Sequence, residues 1–174
     1  MKRASTEQFA HLPALPLAIL LDDVRSAHNV GAIFRTADAF RLHSLALCGI
    51  TPQPPHPLIH KTALGAELSM RFSYFRFAQE AIAHYKMEGF KIWVLEQTTD
   101  STPPEKSPLE VDEKVLLVVG NEVHGVKEEI VATADRCIEI PQYGTKHSLN
   151  VSVSTGIAIY SIVAGSLSQL SLTD

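Results

Sequence analysis

Apolar runs and amphipathic stretches alternate along most of the chain. Residues 17–24 (LAILLDDV) form a continuous apolar run ending in acids, which suits a strand buried on both faces of a parallel sheet. From Asn29 to Phe40 the period lengthens: Ile33, Ala37 and Phe40 share one face at i, i+4, i+7, the spacing of a helix. SLALCGI (44–50) reads as a second buried strand, and TPQPPHP (51–57) as a rigid connection. LIHKTALGAE (58–67) is a short helical piece, followed by a strand around RFSYF (71–75). Residues 77–88 predict a helix ended by Gly89. FKIWVLEQ (90–97) and VLLVVG (115–120) are two more strands, with STPPEKSP (101–108) expected between them as an exposed loop. A helix over 126–134 and a strand CIEIP (137–141) follow.

The C-terminal stretch HSLNVSVSTGIAIYSIVAGSLSQLSLT (147–173) contains no Asp, Glu, Lys or Arg. Its start alternates like a strand, and its length would span a bilayer. However, Asn150, Ser152, Ser154, Thr155, Ser161, Ser166, Ser168 and Gln169 are too many polar groups for a lone lipid-facing span. At helical spacing Val151, Thr155, Ala158 and Ile162 share a face, so a helix packed inside the protein is expected, not an anchor.

Strands alternating with helices predict an α/β fold, a mainly parallel sheet with helices on both faces. No repeat or linker divides the 174 residues, so 1–174 is read as a single domain with no separate RNA-binding extension. The formal charge of −4 gives no global field for a polyanion, so any nucleic acid must meet a local patch or one assembled across subunits. Cys48 and Cys137 sit in apolar runs and read as reduced, buried thiols. The N-terminus lacks a cleavage pattern and suggests a cytoplasmic protein.

Ligands in such sheets bind beyond the carboxyl ends of the strands. That points to DDVRSAHNVG, EQTTD, GNEVHGV and PQYGTKHSLN, four polar strand exits, three of which contain glycine. The GxGxxG, GxxxxGK[ST] and GxSxG signatures are absent. His56 and His60 stand four apart but form no HExxH, and an exposed loop is the plainer reading; no metal is expected. Taken singly, Asn29 reads as an N-cap, Arg35 as a surface partner of Asp38, and Glu122 as a first-turn acid of the following helix.

Together these residues carry a resemblance. NVGAIFR (29–35), VVGNEVHGV (118–126) and IPQYGTKHSLNVSVSTGIAIY (140–160) resemble, in order, the three motifs of the SpoU (TrmH-type) RNA methyltransferases of the SPOUT superfamily, and KTALGAE (61–67) resembles a further segment of that family. The resemblance implies a SPOUT fold with a deep C-terminal trefoil knot. It implies S-adenosyl-L-methionine bound in that knot, a homodimer, and methyl transfer to a ribose 2′-OH of tRNA or rRNA. HSLN then becomes a site loop, with the helix from Val151 in the knot and at the dimer interface.

The matching positions supply the expected site. Leu95, Gln97, Gly120, Ile140 and Leu149 hold the cofactor through backbone groups, with Ser148 nearby, and glycine at 120 and 144 admits the adenosine. Arg35 carries catalysis, Asn29 and Asn150 orient ribose or Arg35, and Glu122 fixes the loop. Because a guanidinium is effectively never deprotonated, Arg35 is easier as a phosphate grip and oxyanion stabiliser than as a base. Lys61, Arg25, Arg41, Lys146 and His147 are candidates for RNA contact. Few residues precede Leu17, and they add only Lys2 and Arg3 as fixed positive charge, which favours a compact tRNA over rRNA as substrate. Two other classes are an inert RNA-binding module of the same fold and an unrelated nucleotide-binding enzyme; the second leaves the third motif unexplained.

Overall fold

A computed structural model describes residues 13–146 and 148–166. Six strands, β1 (Leu17–Asp22), β2 (Leu45–Cys48), β3 (Phe72–Phe75), β4 (Phe90–Leu95), β5 (Lys114–Val119) and β6 (Arg136–Ile138), form one sheet in the order β3-β2-β1-β5-β4-β6. Every pairing is parallel; Ile19, for example, lies beside Leu45 on one side and Leu117 on the other. All six residues of β1 are buried, as the unbroken apolar run required.

Side-chain alternation divides the core in two. Leu17, Ile19, Leu21, Val115, Leu117 and Trp93 point to one face, with α1 (Ala27–Ala39), α2 (Pro57–Ala63), α3 (Ala66–Ser69) and α6 (Val151–Ser166). Ala18, Leu20, Ile92, Leu116 and Val118 point to the other, where α4 (Ala78–Met87) and α5 (Glu128–Val131) pack. The expected helices on both faces are therefore present. On α6, Val151, Thr155, Ala158 and Ile162 are all buried, the face that the helical spacing predicted. The opposite side leaves Val153, Ile157 and Tyr160 exposed. Among the described residues no helix is long and apolar enough to cross a membrane.

Several expectations are corrected. The single helical piece at 58–67 is two helices, because Leu64 and Gly65 both adopt positive φ (52° and 93°) and end the first. His56 and His60 do not lie in an exposed loop: the His56 ring accepts from Leu58 N and caps α2, while His60, on α2, pairs with Glu67. The helix expected over 126–134 is regular only over Glu128–Val131. The largest departure is 101–108. Instead of an exposed loop it contains a 3-10 turn (Pro104–Lys106) with Pro104 and Ser107 buried, and Thr102 bridges to Ile138 of β6. Proline-rich composition signalled irregular backbone correctly, but α6 packs over it, and Leu109 N donates to Ser166 Oγ at 2.7 Å. Cys48 is buried, with burial pushing its thiol up to about 12, and Cys137 is half-buried; both are free.

Candidate active site

The chain builds β1, β2 and β3 outward on one side of β1, and β5, β4 and β6 on the other. The exits of β1 and β5 therefore diverge at a switch in strand order, where a crevice opens. The loop after β5 is closed by paired backbone bonds between Asn121 and Gly125, 3.1 and 2.9 Å. Asn121 Oδ1 receives the amides of Val123 and His124, and its Nδ2 donates to Asp23 O at 2.7 Å. This turn aims Glu122 across the crevice at the start of α1.

There the Glu122 carboxylate meets three donors: Arg25 N at 2.9 Å, Ser26 N at 3.0 Å and Asn29 Nδ2 at 2.9 Å. Helix starts leave amides without intrahelical partners, and an anion is favourable there. Glu122 thus complements the dipole of α1, a helix about ninety residues earlier, and not that of α5. Burial pushes its carboxyl up, but the bonds from Arg25, Asn29 and Ser26 outweigh that and hold it below the usual range.

Asn29 is not the cap of α1 either. Ser26 is, accepting from Asn29 N at 3.4 Å. That frees the Asn29 side chain to bridge. A carboxylate only accepts, so Asn29 must turn its NH2 to Glu122 and its oxygen away. The oxygen accepts from Asn150 Nδ2 at 3.1 Å. Asn150 Oδ1 in turn accepts from Ser152 N at 2.9 Å and Ser152 Oγ at 2.7 Å, starting α6. Glu122, Asn29 and Asn150 are one hydrogen-bonded chain linking three strand exits and two helix starts.

Beside this chain lies a cleft of about 470 Å³. All six residues expected at a cofactor, Leu95, Gln97, Gly120, Ile140, Ser148 and Leu149, line it, as does Glu122. Leu95, Ile140 and Leu149 give the cleft an apolar part among polar neighbours such as Gln97, Glu122 and Ser148, and its volume suits an adenosine-sized group. A Cβ on Gly120 would lie 2.2 Å from the backbone of Gly125, so the loop's own packing demands glycine there; around Gly144 nothing lies within 4 Å.

Arg35 is not in the cleft. Six residues along α1 from Asn29, it sits about 9 Å further up and about 240° round the axis. It is exposed and makes no ion pair with Asp38, whose carboxylate accepts from Ser69 Oγ at 2.6 Å. Of the RNA-contact candidates, Arg25 lines a neighbouring cavity of about 280 Å³, Lys61 is exposed on α2, Arg41 is half-buried after α1, and Lys146 is exposed beside the cleft. His147 lies outside the described residues.

Asp22, Asp23 and Glu96 lie within the strand exits singled out from the sequence, but no individual role is expected there for them or for Lys127. Lys127 Nζ lies 2.9 Å from Asp23 and 3.6 Å from the buried Asp22, tying the β5 exit to the β1 exit. Burial pushes the Asp22 carboxyl up against the pull of Lys127. Adjacent acids ending a buried strand were the available signal, but nothing in the sequence identified their partner.

The sequence model of the SpoU rRNA Methylase family matches residues 16–160. The chain is 33% identical over 155 residues to the tRNA (guanosine(18)-2'-O)-methyltransferase of Aquifex aeolicus, covering 83% of this chain and 67% of that protein. It is 27% identical over 162 residues to the Borreliella burgdorferi protein of the same name, covering 93% and 72%. The chain spans 61% of the Escherichia coli protein of that name. The crystal structure of the A. aeolicus TrmH/SpoU tRNA modifying enzyme superimposes with a TM-score of 0.81 at 28% identity, covering 94% of this chain and 81% of that one.

Proposed function

Because the chain belongs to the SpoU rRNA Methylase family, we propose that it transfers a methyl group from S-adenosyl-L-methionine to a ribose 2′-OH of RNA, with tRNA ahead of rRNA as substrate. The observation that carries this reading is the Glu122–Asn29–Asn150 chain along the rim of the cleft. The first, second and third sequence motifs each contribute one of its members.

S-adenosyl-L-methionine supplies an electrophilic methyl on a sulfonium, so the protein's task is placement and charge stabilisation. Apolar Leu95, Ile140 and Leu149 suit the walls of an adenosine pocket, and the backbone of Gln97, Gly120 and Ser148 supplies polar atoms at its rim. Glu122 already accepts three hydrogen bonds and is held ionised, which fits it to fix the rim rather than to take a proton from the hydroxyl. Asn29 and Asn150 hold each other and the starts of α1 and α6 in register.

Arg35 is the charge left to meet RNA, gripping phosphate and stabilising the ribose oxygen as it becomes anionic. It stands off the cleft of its own chain, so the proposed site is completed in a two-fold homodimer. The exposed stripe Val153, Ile157 and Tyr160 on α6 supplies the apolar contact, with Tyr160 packed edge-on against Phe40 at the end of α1. In the proposed dimer through α1 and α6, Arg35 serves the partner's cleft. Lys61, Arg25, Arg41, Lys146 and His147 are proposed to add RNA contacts. We read residues 1–174 as one methyltransferase domain acting in the cytoplasm. The proposed deep C-terminal knot is supported by the packing of α6 against the 104–109 segment.

tRNA is favoured because the relatives reported above carry tRNA names, and because an acidic chain suits a compact target recognised by shape. The test incubates the protein with labelled S-adenosyl-L-methionine and either total tRNA or deproteinised rRNA, then reads alkali-resistant dinucleotides, the signature of a 2′-O-methyl. Label in tRNA supports the proposal. Label confined to rRNA overturns the substrate alone, and no label in either leaves an inert RNA-binding module as the better reading.

A further inference from the structure

Between Leu95 and Gln97, Glu96 directly follows β4 and lines the wall of the cleft. Its own amide donates to Ile138 O of β6 at 3.0 Å. Its carboxylate reaches in the other direction: Oε2 accepts Val126 N at 2.9 Å and Oε1 accepts Gln97 N at 3.0 Å. One residue therefore touches the exits of β4, β6 and β5, the three strands that frame the cleft.

The fit around it is close. Gly125 adopts φ +65°, and a Cβ there would lie 2.2 Å from Glu96 Oε2. Gly120, across the loop, has the Gly125 carbonyl and Val126 N at 2.2 and 2.4 Å from where its own Cβ would stand. Glu96, Gly125 and Gly120 thus form a stack in which neither glycine has room for a side chain. The two glycines of GNEVHGV are paired with an acid more than twenty residues earlier.

We infer that Glu96 is a positioning residue of the site: it clamps the 120–126 loop to the end of β4, setting together the cleft wall and the Glu122 carboxylate that reaches α1. This rests on the proposed reading of the cleft as the S-adenosyl-L-methionine site. Two backbone N–H groups point at two side-chain oxygens, so an acceptor is needed on both sides. Glutamine supplies one and turns its NH2 toward the other. The amide of Gln97, whose residue is exposed, can take water instead, so glutamine keeps the bond to Val126. Alanine keeps neither.

The test measures S-adenosyl-L-methionine affinity by calorimetry in E96A, E96Q, G125A and the E96A/G125A pair, with hydrogen exchange at the Val126 amide. E96A should weaken binding about tenfold and speed that exchange about tenfold, while E96Q stays within about threefold of wild type in both. G125A should cost less in the E96A background than in wild type, because the collision with Oε2 has gone. Wild-type affinity in E96A, even with faster exchange, overturns the inference, as does strict additivity of the pair. Should E96A not fold, E96Q and the G125A measurement decide. A wild-type protein that binds no S-adenosyl-L-methionine removes the cofactor reading instead, and exchange at Val126 then decides the clamp by itself.

Discussion

The rim of the cleft and the exposed side of α1 begin within two turns of one helix, yet they are opposites. At the rim, Glu122, Asn29 and Asn150 have their polar atoms committed to one another and to helix-start amides. Arg35, on the other side of α1, makes no side-chain hydrogen bond or ion pair among the described residues. A saturated network is rigid and poorly suited to exchanging protons, because each bond to the charged form must be broken first. A free guanidinium is available to whatever docks. The difference is the ground for proposing that the rim holds the site together and that Arg35 stabilises charge.

The strongest way to break that comparison is at Arg35. R35A should lower kcat by about 10²–10³ with little change in cofactor affinity. R35K should fail almost as badly, since a point charge cannot replace a planar fork. Near-normal turnover in R35K would end its proposed role.

Next comes the surface proposed to bring Arg35 to the partner's cleft. Sedimentation at micromolar concentration should give twice the chain mass, and I157D on α6 should give a folded monomer with cofactor binding retained but turnover lost. An active monomer would contradict both the dimer and the placement of Arg35.

At the rim the expected effects are on stability. E122A removes the acceptor of Arg25 N, Ser26 N and Asn29 Nδ2, and should cost about 2 kcal/mol in urea unfolding at pH 7. No loss would mean that water replaces the carboxylate at no cost.

The smallest effect is acid dependence. The folded state holds the Glu122 carboxyl below its ordinary value of 4.5, so its contribution is complete above that value and lost as pH falls through the lower folded value. E122Q should therefore be closest to wild type at pH 3 and furthest from it at pH 7. A gap that is constant across this range would show that ionisation is not what the helix start recognises.

Much of this site was legible in order along the chain. The apolar runs at 17–24, 44–50, 90–97 and 115–120 had to hold buried strands, and their polar exits had to meet at one end of the sheet. Asn29, Glu122 and Asn150 were identified by resemblance, and all three lie in one network. Their partners were not legible. Asn29 fitted an N-cap, and Ser26 took that place instead; Glu122 fitted the helix after it, and it serves the helix before the others. Both local readings were sound chemistry applied to the wrong neighbour. Glu96 lay in the EQTTD exit, but its partners were not legible, since an acid at a strand exit ordinarily faces water.

The sequence by itself determined what most segments become, because burial of apolar runs and the periods of helix and strand act over a few residues at a time. It also determined which residue types stand at the strand exits. Only the tertiary structure decided which exits face one another. The strand order puts β5 beside β1, although ninety-odd residues separate them in the chain, and that placement gives Glu122 to α1 and Lys127 to Asp23. Hydrogen bonds reach about 3 Å, so their partners are fixed by topology and not by proximity in the sequence.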